Sequence, residues 1–216
     1  MAPPVTKDLE PDQSFYFRQS RTPDAEGEES IDDTFRVSLV QLDSLKSGNY
    51  LEMINYALIA KMEGAELIVF PESSAFGWLN SIVFTDAHPI PEATSDQFSS
   101  IAIKANICVA AGIAERGPSI EGIYYQAYDS GILLNPKGKI VIHHRKNSVL
   151  KNAFKPDECP PSIGINGCSY AAGSEVTIAD TPFGRTALLV CADAYTYDTF
   201  TLDKVKSLNP EVVLVP

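Results

Sequence analysis

Short, continuous apolar runs constrain this chain more than any other feature. FRVSLVQL (35–42), ELIVF (66–70), ICVAAGIA (107–114) and RTALLVCAD (185–193) have strand length and are rich in aliphatic and β-branched residues. A run such as ELIVF, apolar without alternation, must be covered on both faces. Between the first two runs, residues 48–63 place Leu51, Ile54 and Leu58 at helical spacing, and Gly64 stands where the helix would end. The unit reads β-α-β. A second helix is expected over 95–106, with Thr94 or Ser95 as its cap and Phe98, Ile101, Ile103 and Ala105 among its apolar residues. A hairpin follows: YYQAYDSGILLN, the turn Pro136-Lys137-Gly138, then KIVIHH. EVTIAD and RTALLVCAD are joined by Thr181-Pro182-Phe183-Gly184, and a last helix near 197–207 leads into EVVLVP. Strands alternating with helices, then antiparallel hairpins, imply an α/β layered fold.

The chain has 216 residues, 44% of them hydrophobic, which suits one core in one main domain. No apolar stretch approaches the roughly 18–20 residues that span a bilayer, and MAPPVTKDLEPDQ lacks the basic-then-apolar pattern of a signal peptide. A soluble cytoplasmic protein is the expectation. Residues 1–33 carry nine acids against three bases, −6 of the net −11, together with four prolines. They are expected to form a disordered leader ahead of a domain at 34–216, with the aromatic cluster SFYF read as fortuitous. The acidic balance argues against nucleic acid and anionic membranes as partners. Cys108, Cys159, Cys168 and Cys191 show no C-x-x-C or C-x-x-H spacing, so neither a metal site nor a cofactor is expected. Cys108 reads as a small buried hydrophobe, and Cys159 and Cys168 as free thiols in a reducing compartment.

Three runs end on reactive side chains: Glu72 after LIVFP, Lys146 after KIVIHHR and Cys191 after TALLV. The carboxyl ends of strands in open α/β sheets are where ligands bind. The three also form a chemical set. A cysteine attacks as the thiolate and needs a base or a cation nearby. A carboxylate partly withdrawn from water can take the thiol proton and later pass it to a leaving amine. An ammonium stabilises the tetrahedral oxyanion. None of these roles calls on His88, His143 or His144.

In this order, strand-PE, strand-HRK and strand-C-x-D, the chain resembles the nitrilase superfamily of carbon–nitrogen hydrolases from residue 35 to 216. The similarity takes in G-A-E-L-I-V-F-P-E, the AAGIAER strand, N-P-K-G-K, H-H-R-K, T-P-F-G-R and L-L-V-C-A-D. The resemblance implies a four-layer α-β-β-α sandwich, usually assembled as a homo-oligomer, acting on a small amide, nitrile or carbamoyl compound through a thioester. It gives Glu72 the role of base, Lys146 that of the oxyanion-steadying lysine and Cys191 that of nucleophile, with the backbone N–H of Ala192 as second oxyanion donor. The family's further glutamate, in the loop after the lysine, is matched by Glu158 in preference to Glu175. Asp193 reads as an anchor of its turn, Lys151 and Lys155 as a solvated face, and Phe76 and Trp78 as pocket wall or core.

Family members continue for several strands and a helix beyond the segment matching EVVLVP. The sandwich is therefore expected to be incomplete at its C-terminus. The alternative to an active hydrolase is a truncated, non-catalytic relative that serves as subunit or partner of a complete homologue.

Overall fold

A computed structural model describes residues 16–17, 34–43, 48–120, 124–151, 153–159, 168–195 and 199–216. β1 (Tyr16–Phe17) pairs antiparallel with β2 (Phe35–Leu39), so two of the leader's aromatic positions add to the sheet, against their reading as a fortuitous cluster. The rest of the expected leader lies outside the described residues. β2, β3 (Leu67–Phe70) and β4 (Cys108–Ile120) run parallel, and β5 (Tyr124–Leu134) and β6 (Ile140–Arg145) extend them antiparallel into one six-stranded sheet. β7 (Ile178–Thr181), β8 (Gly184–Leu188) and β9 (Val212–Leu214) form a second sheet, β8 central, antiparallel to β7 and parallel to β9.

Strand alternation decides which side chains fill which layer. Ile68, Phe70, Val109, Ala111, Ile132 and Leu134 meet α1 (Tyr50–Met62) and α3 (Ala93–Ala105) on one face of the large sheet. Leu67, Val69, Cys108, Ala110, Leu133 and Ile142 meet Phe183, Leu188 and Leu214 of the small sheet on the other. Cys108 is thus a buried hydrophobe, as expected. Ala187 and Leu189 alternate to the outer face of the small sheet and are buried as well. The crossover from β8 to β9 runs through α4 (Thr199–Leu208), which has that outer face open to it because the inner one is filled. The sandwich order α-β-β-α follows, with β9 as an edge strand among the described residues.

Two helices differ in detail from expectation. In α1 the buried stripe is Met53, Ala57 and Ala60, whereas Leu51 is 80% and Leu58 41% exposed. Both stripes are apolar, and the one with two alanines lets the helix lie close to the sheet. α3 starts at Ala93, ahead of the expected cap: Ser95 Oγ accepts the Glu92 N–H at 3.0 Å, the reciprocal contact made from the third helical position. Ile103, expected among its apolar face, is exposed.

Cys159 and Cys168 are joined in a disulfide, Cα atoms 5.8 Å apart, which corrects the expectation of free thiols. The loop returns on itself, with Phe154 and Cys168 paired backbone to backbone, and this brings the two cysteines together. No helix among the described residues is long and apolar enough to cross a membrane.

Candidate active site

Glu72 leaves β3 through Pro71, Lys146 leaves β6, and Cys191 leaves the extension of β8. The two-sheet packing brings these ends together. The Lys146 ammonium donates to Glu72 Oε1 and, at 3.1 Å, to Asp129 Oδ2 in β5. Lys146 and Asp129 are buried. Cys191 sits at φ 44°, in the left-handed region that a residue with a Cβ adopts at a cost of about 1–2 kcal/mol. It opens a 3-10 turn, Cys191–Ala194. The Cys191 N–H is taken by the Pro216 carbonyl at 3.1 Å and the Asp193 N–H by that of Val190. The Ala192 N–H, between them, has no backbone acceptor among the described residues, the state required of an oxyanion donor.

Asp193 is what ties the Cys191 turn to the strand of Lys146. Its fully buried carboxylate accepts from Val190 N (3.2 Å), Asn147 N (2.9 Å), Ser148 N (2.8 Å) and His144 Nε2 (2.8 Å). Burial alone would raise its pKa; these donors outweigh burial and hold it below the ordinary value. Two glycines permit the close approaches around the site. A Cβ on Gly112 would lie 2.5 Å from the Glu72 Cα, and one on Gly173 would lie 2.2 Å from the Arg145 carbonyl oxygen.

The charges of the site interlock. Burial pushes the Glu72 carboxyl up, but hydrogen bonds with Asp129 and Lys146 and the ammonium's charge outweigh it, leaving Glu72 below the usual carboxylate value. Asp129 goes the other way: burial, then the neighbouring Glu72, raise it well above the usual value. Lys146 is raised by Asp129 and Glu72 against the opposing effect of burial. Burial and the Glu72 charge push the Cys191 thiol up, against the hydrogen bond with Tyr195 and the Lys146 charge. Tyr195 OH lies 2.7 Å from Cys191 Sγ, and its phenol is pushed up to about 12, chiefly by that contact. The resting pair is therefore a thiol facing an ionised glutamate.

A small, partly open pocket lies beside Lys146, walled by Trp78, Leu79, Val149, Leu150, Ala153 and Tyr170. Trp78 is pocket wall, whereas Phe76 packs between two core clusters. Tyr170 is held by the rings of Phe84 and Phe154. Glu158 is not brought to this site: it is exposed, and its carboxylate accepts the Lys155 N–H at 2.9 Å. Glu175, Lys151 and Lys155 are exposed too. Sequence reasoning did not find Asp129, Tyr170 or Tyr195. A polar Asp-Ser pair inside the otherwise apolar run before ILLN was the available signal for Asp129. Nothing local marks the two tyrosines. No group of three or more His, Cys, Asp or Glu side chains among the described residues could hold a metal ion.

The fold and site define a class, and comparison with known proteins agrees with it. The carbon-nitrogen hydrolase family model matches residues 36–201, and the chain belongs to that family. It is 26% identical over 172 residues to an omega-amidase of Bos taurus, an alignment covering 74% of this chain and 55% of that protein. It is 30% identical over 145 residues to a formamidase of Helicobacter acinonychis (strain Sheeba), covering 65% of this chain and 41% of that one. The chain thus spans about half the length of these relatives. Among solved structures, an amidase from Nesterenkonia sp. superposes with a TM-score of 0.66 at 19% identity, covering 84% of this chain and 64% of that one. The similarity to the amidase supports the layered sandwich described above.

Proposed function

We propose that this protein hydrolyses the C–N bond of a small amide, nitrile or carbamoyl compound through a thioester on Cys191. The observation that carries the reading is the Lys146 ammonium bonded to Glu72 next to a cysteine on a left-handed turn. For an amide, Cys191 Sγ attacks the carbonyl carbon while its proton passes to Glu72. The oxyanion falls to Lys146 Nζ and the Ala192 N–H. Collapse of the adduct breaks the C–N bond, and the leaving nitrogen takes the proton back from Glu72. Water, deprotonated by Glu72, then attacks the thioester, releasing the acid and restoring the thiol. The amidase names of the relatives support this, and a glutamate-to-leucine mutant of the Nesterenkonia amidase, which carries the acetamide moiety of fluoroacetamide on its active-site cysteine, supports a nucleophilic cysteine at such a site.

The test is mass spectrometry of the protein after incubation with a panel of amides and nitriles. An acyl adduct on Cys191 and ammonia release are expected in the wild type, and neither in Cys191→Ala. Full ammonia release by Cys191→Ala would overturn the assignment. The proposal extends to a homo-oligomer, which light scattering of the purified chain reads directly.

A further inference from the structure

Asp129 has no task in the reaction above, yet it is the more deeply buried of the pocket's two acids, at 3% exposure. It holds Lys146 twice. Its backbone carbonyl accepts the Lys146 N–H at 2.8 Å, and its Oδ2 lies 3.1 Å from the ammonium. Its Oδ1 makes no well-formed hydrogen bond among the described residues. An ionised carboxylate only accepts, and in a buried site it needs several donors. Asp193, in the same molecule, has four. Asp129 has the Lys146 ammonium, already claimed by Glu72, and beside it the Glu72 carboxyl, which when ionised can accept a proton but cannot donate one. A buried anion so sparsely served is costly, whereas a neutral acid in the same place can donate its proton to Glu72 and costs far less. The surrounding charges agree. Glu72 from the end of β3, Lys146 from the end of β6 and Tyr170 from the loop after Cys168 surround it in the pocket, and Cys191 stands beyond Glu72. Two ionised acids about one ammonium would leave the pocket negative beside a thiol that must become a thiolate. One proton on Asp129 balances it.

We infer that Asp129 is a positioning residue of this site, a carboxylic acid that keeps its proton at neutral pH and fixes the Lys146 ammonium beside Glu72 without adding a second negative charge. The inference rests on reading Lys146 and Glu72 as the catalytic pair. Asn at this position would offer the same shape and the same neutrality; Ala would offer neither.

Infrared difference spectra between wild type and Asp129→Asn at pH near 7 test the protonation state. The carbonyl stretch of a protonated carboxylic acid is expected in the wild type and lost in the variant. Its isotope shift in wild type labelled with 13C-aspartate gives the same answer without any variant. Absence of that band overturns the inference. Alkylation of Cys191 by iodoacetamide gives a second reading, with Asp129→Asn expected within about two-fold of wild type at neutral pH. A rise of about ten-fold would mean that a negative charge had been removed, and overturns it as well. On an amide that the wild type turns over, Asp129→Ala is expected to lose about 100-fold in kcat with KM little changed. Asp129→Asn should restore kcat to within about three-fold. Full kcat in Asp129→Ala would overturn the positioning role. Should the wild type turn over no amide, the proposed function falls, while the infrared band and the alkylation rates still decide the state of Asp129.

Discussion

Cys191 is held reactive in place rather than reactive in charge. Its backbone is fixed at positive φ, but burial and Glu72 keep the thiol protonated at rest. Its alkylation rate should therefore climb with pH through and beyond the ordinary thiol range near 8.5 instead of saturating at neutrality. Tyr195 is the neighbour whose hydrogen bond opposes that rise, although its ring is 69% exposed. Tyr195→Phe should slow alkylation near pH 8; an unchanged rate would show that the phenol does nothing for the sulfur. Gly112 acts at the same scale through what it lacks. The Glu72 backbone occupies the space where an alanine Cβ would stand, so Gly112→Ala must move Glu72. A displacement on the order of 1 Å costs about 100-fold in rate, so single-turnover acylation should fall by that much while circular dichroism stays unchanged.

Among the elements, the join between the end of β6 and the 3-10 turn after β8 rests on Asp193. Removing its carboxylate leaves three backbone N–H groups and the His144 ring without their acceptor in a fully buried place. Asp193→Ala should lose about 3–5 kcal/mol in urea unfolding and should also abolish acylation, because Lys146 and Cys191 are then no longer tied together. The loop beyond β6 is closed by its own bond. Titration of the denatured protein without reductant should count two thiols, Cys108 and Cys191, and four after reduction. A bond of this kind persists where the compartment is oxidising, so a count of four before reduction in protein taken from its native compartment would show Cys159 and Cys168 unpaired there.

At the scale of the molecule, acid stability should follow Glu115, a buried acid on β4. Burial would raise it, but hydrogen bonds from His143, Arg145 and Ser130 hold it at about 2. Because its folded pKa is depressed, its contribution is complete above the unfolded value of about 4.3 and is lost as pH falls towards 2. Glu115→Gln should be less stable than wild type at pH 7 by at most about 3 kcal/mol, and the gap should close across that acid window in urea titrations. A gap of constant size would place the effect elsewhere. The layered fold, and the three residues Glu72, Lys146 and Cys191 that it brings together, were legible because ELIVF, KIVIHH and TALLV each demand burial and each leads to a reactive group. The buried face of α1 was not legible, because two apolar stripes compete there and only sheet packing chooses between them. Glu158 stood out by its order along the chain, but the path of a long loop decides whether an acid reaches a pocket. Asp129 was hidden by its setting: a strand residue acquires its meaning from the neighbours across the sheet. The hydrogen bond from Cys191 to Pro216 adds a timetable to this picture. During synthesis Glu72, Lys146 and Cys191 all leave the ribosome before the segment that pins the cysteine backbone. A nascent chain stalled short of β9 should hold the Cys191 backbone more loosely, so the site should set only once that strand has paired with β8.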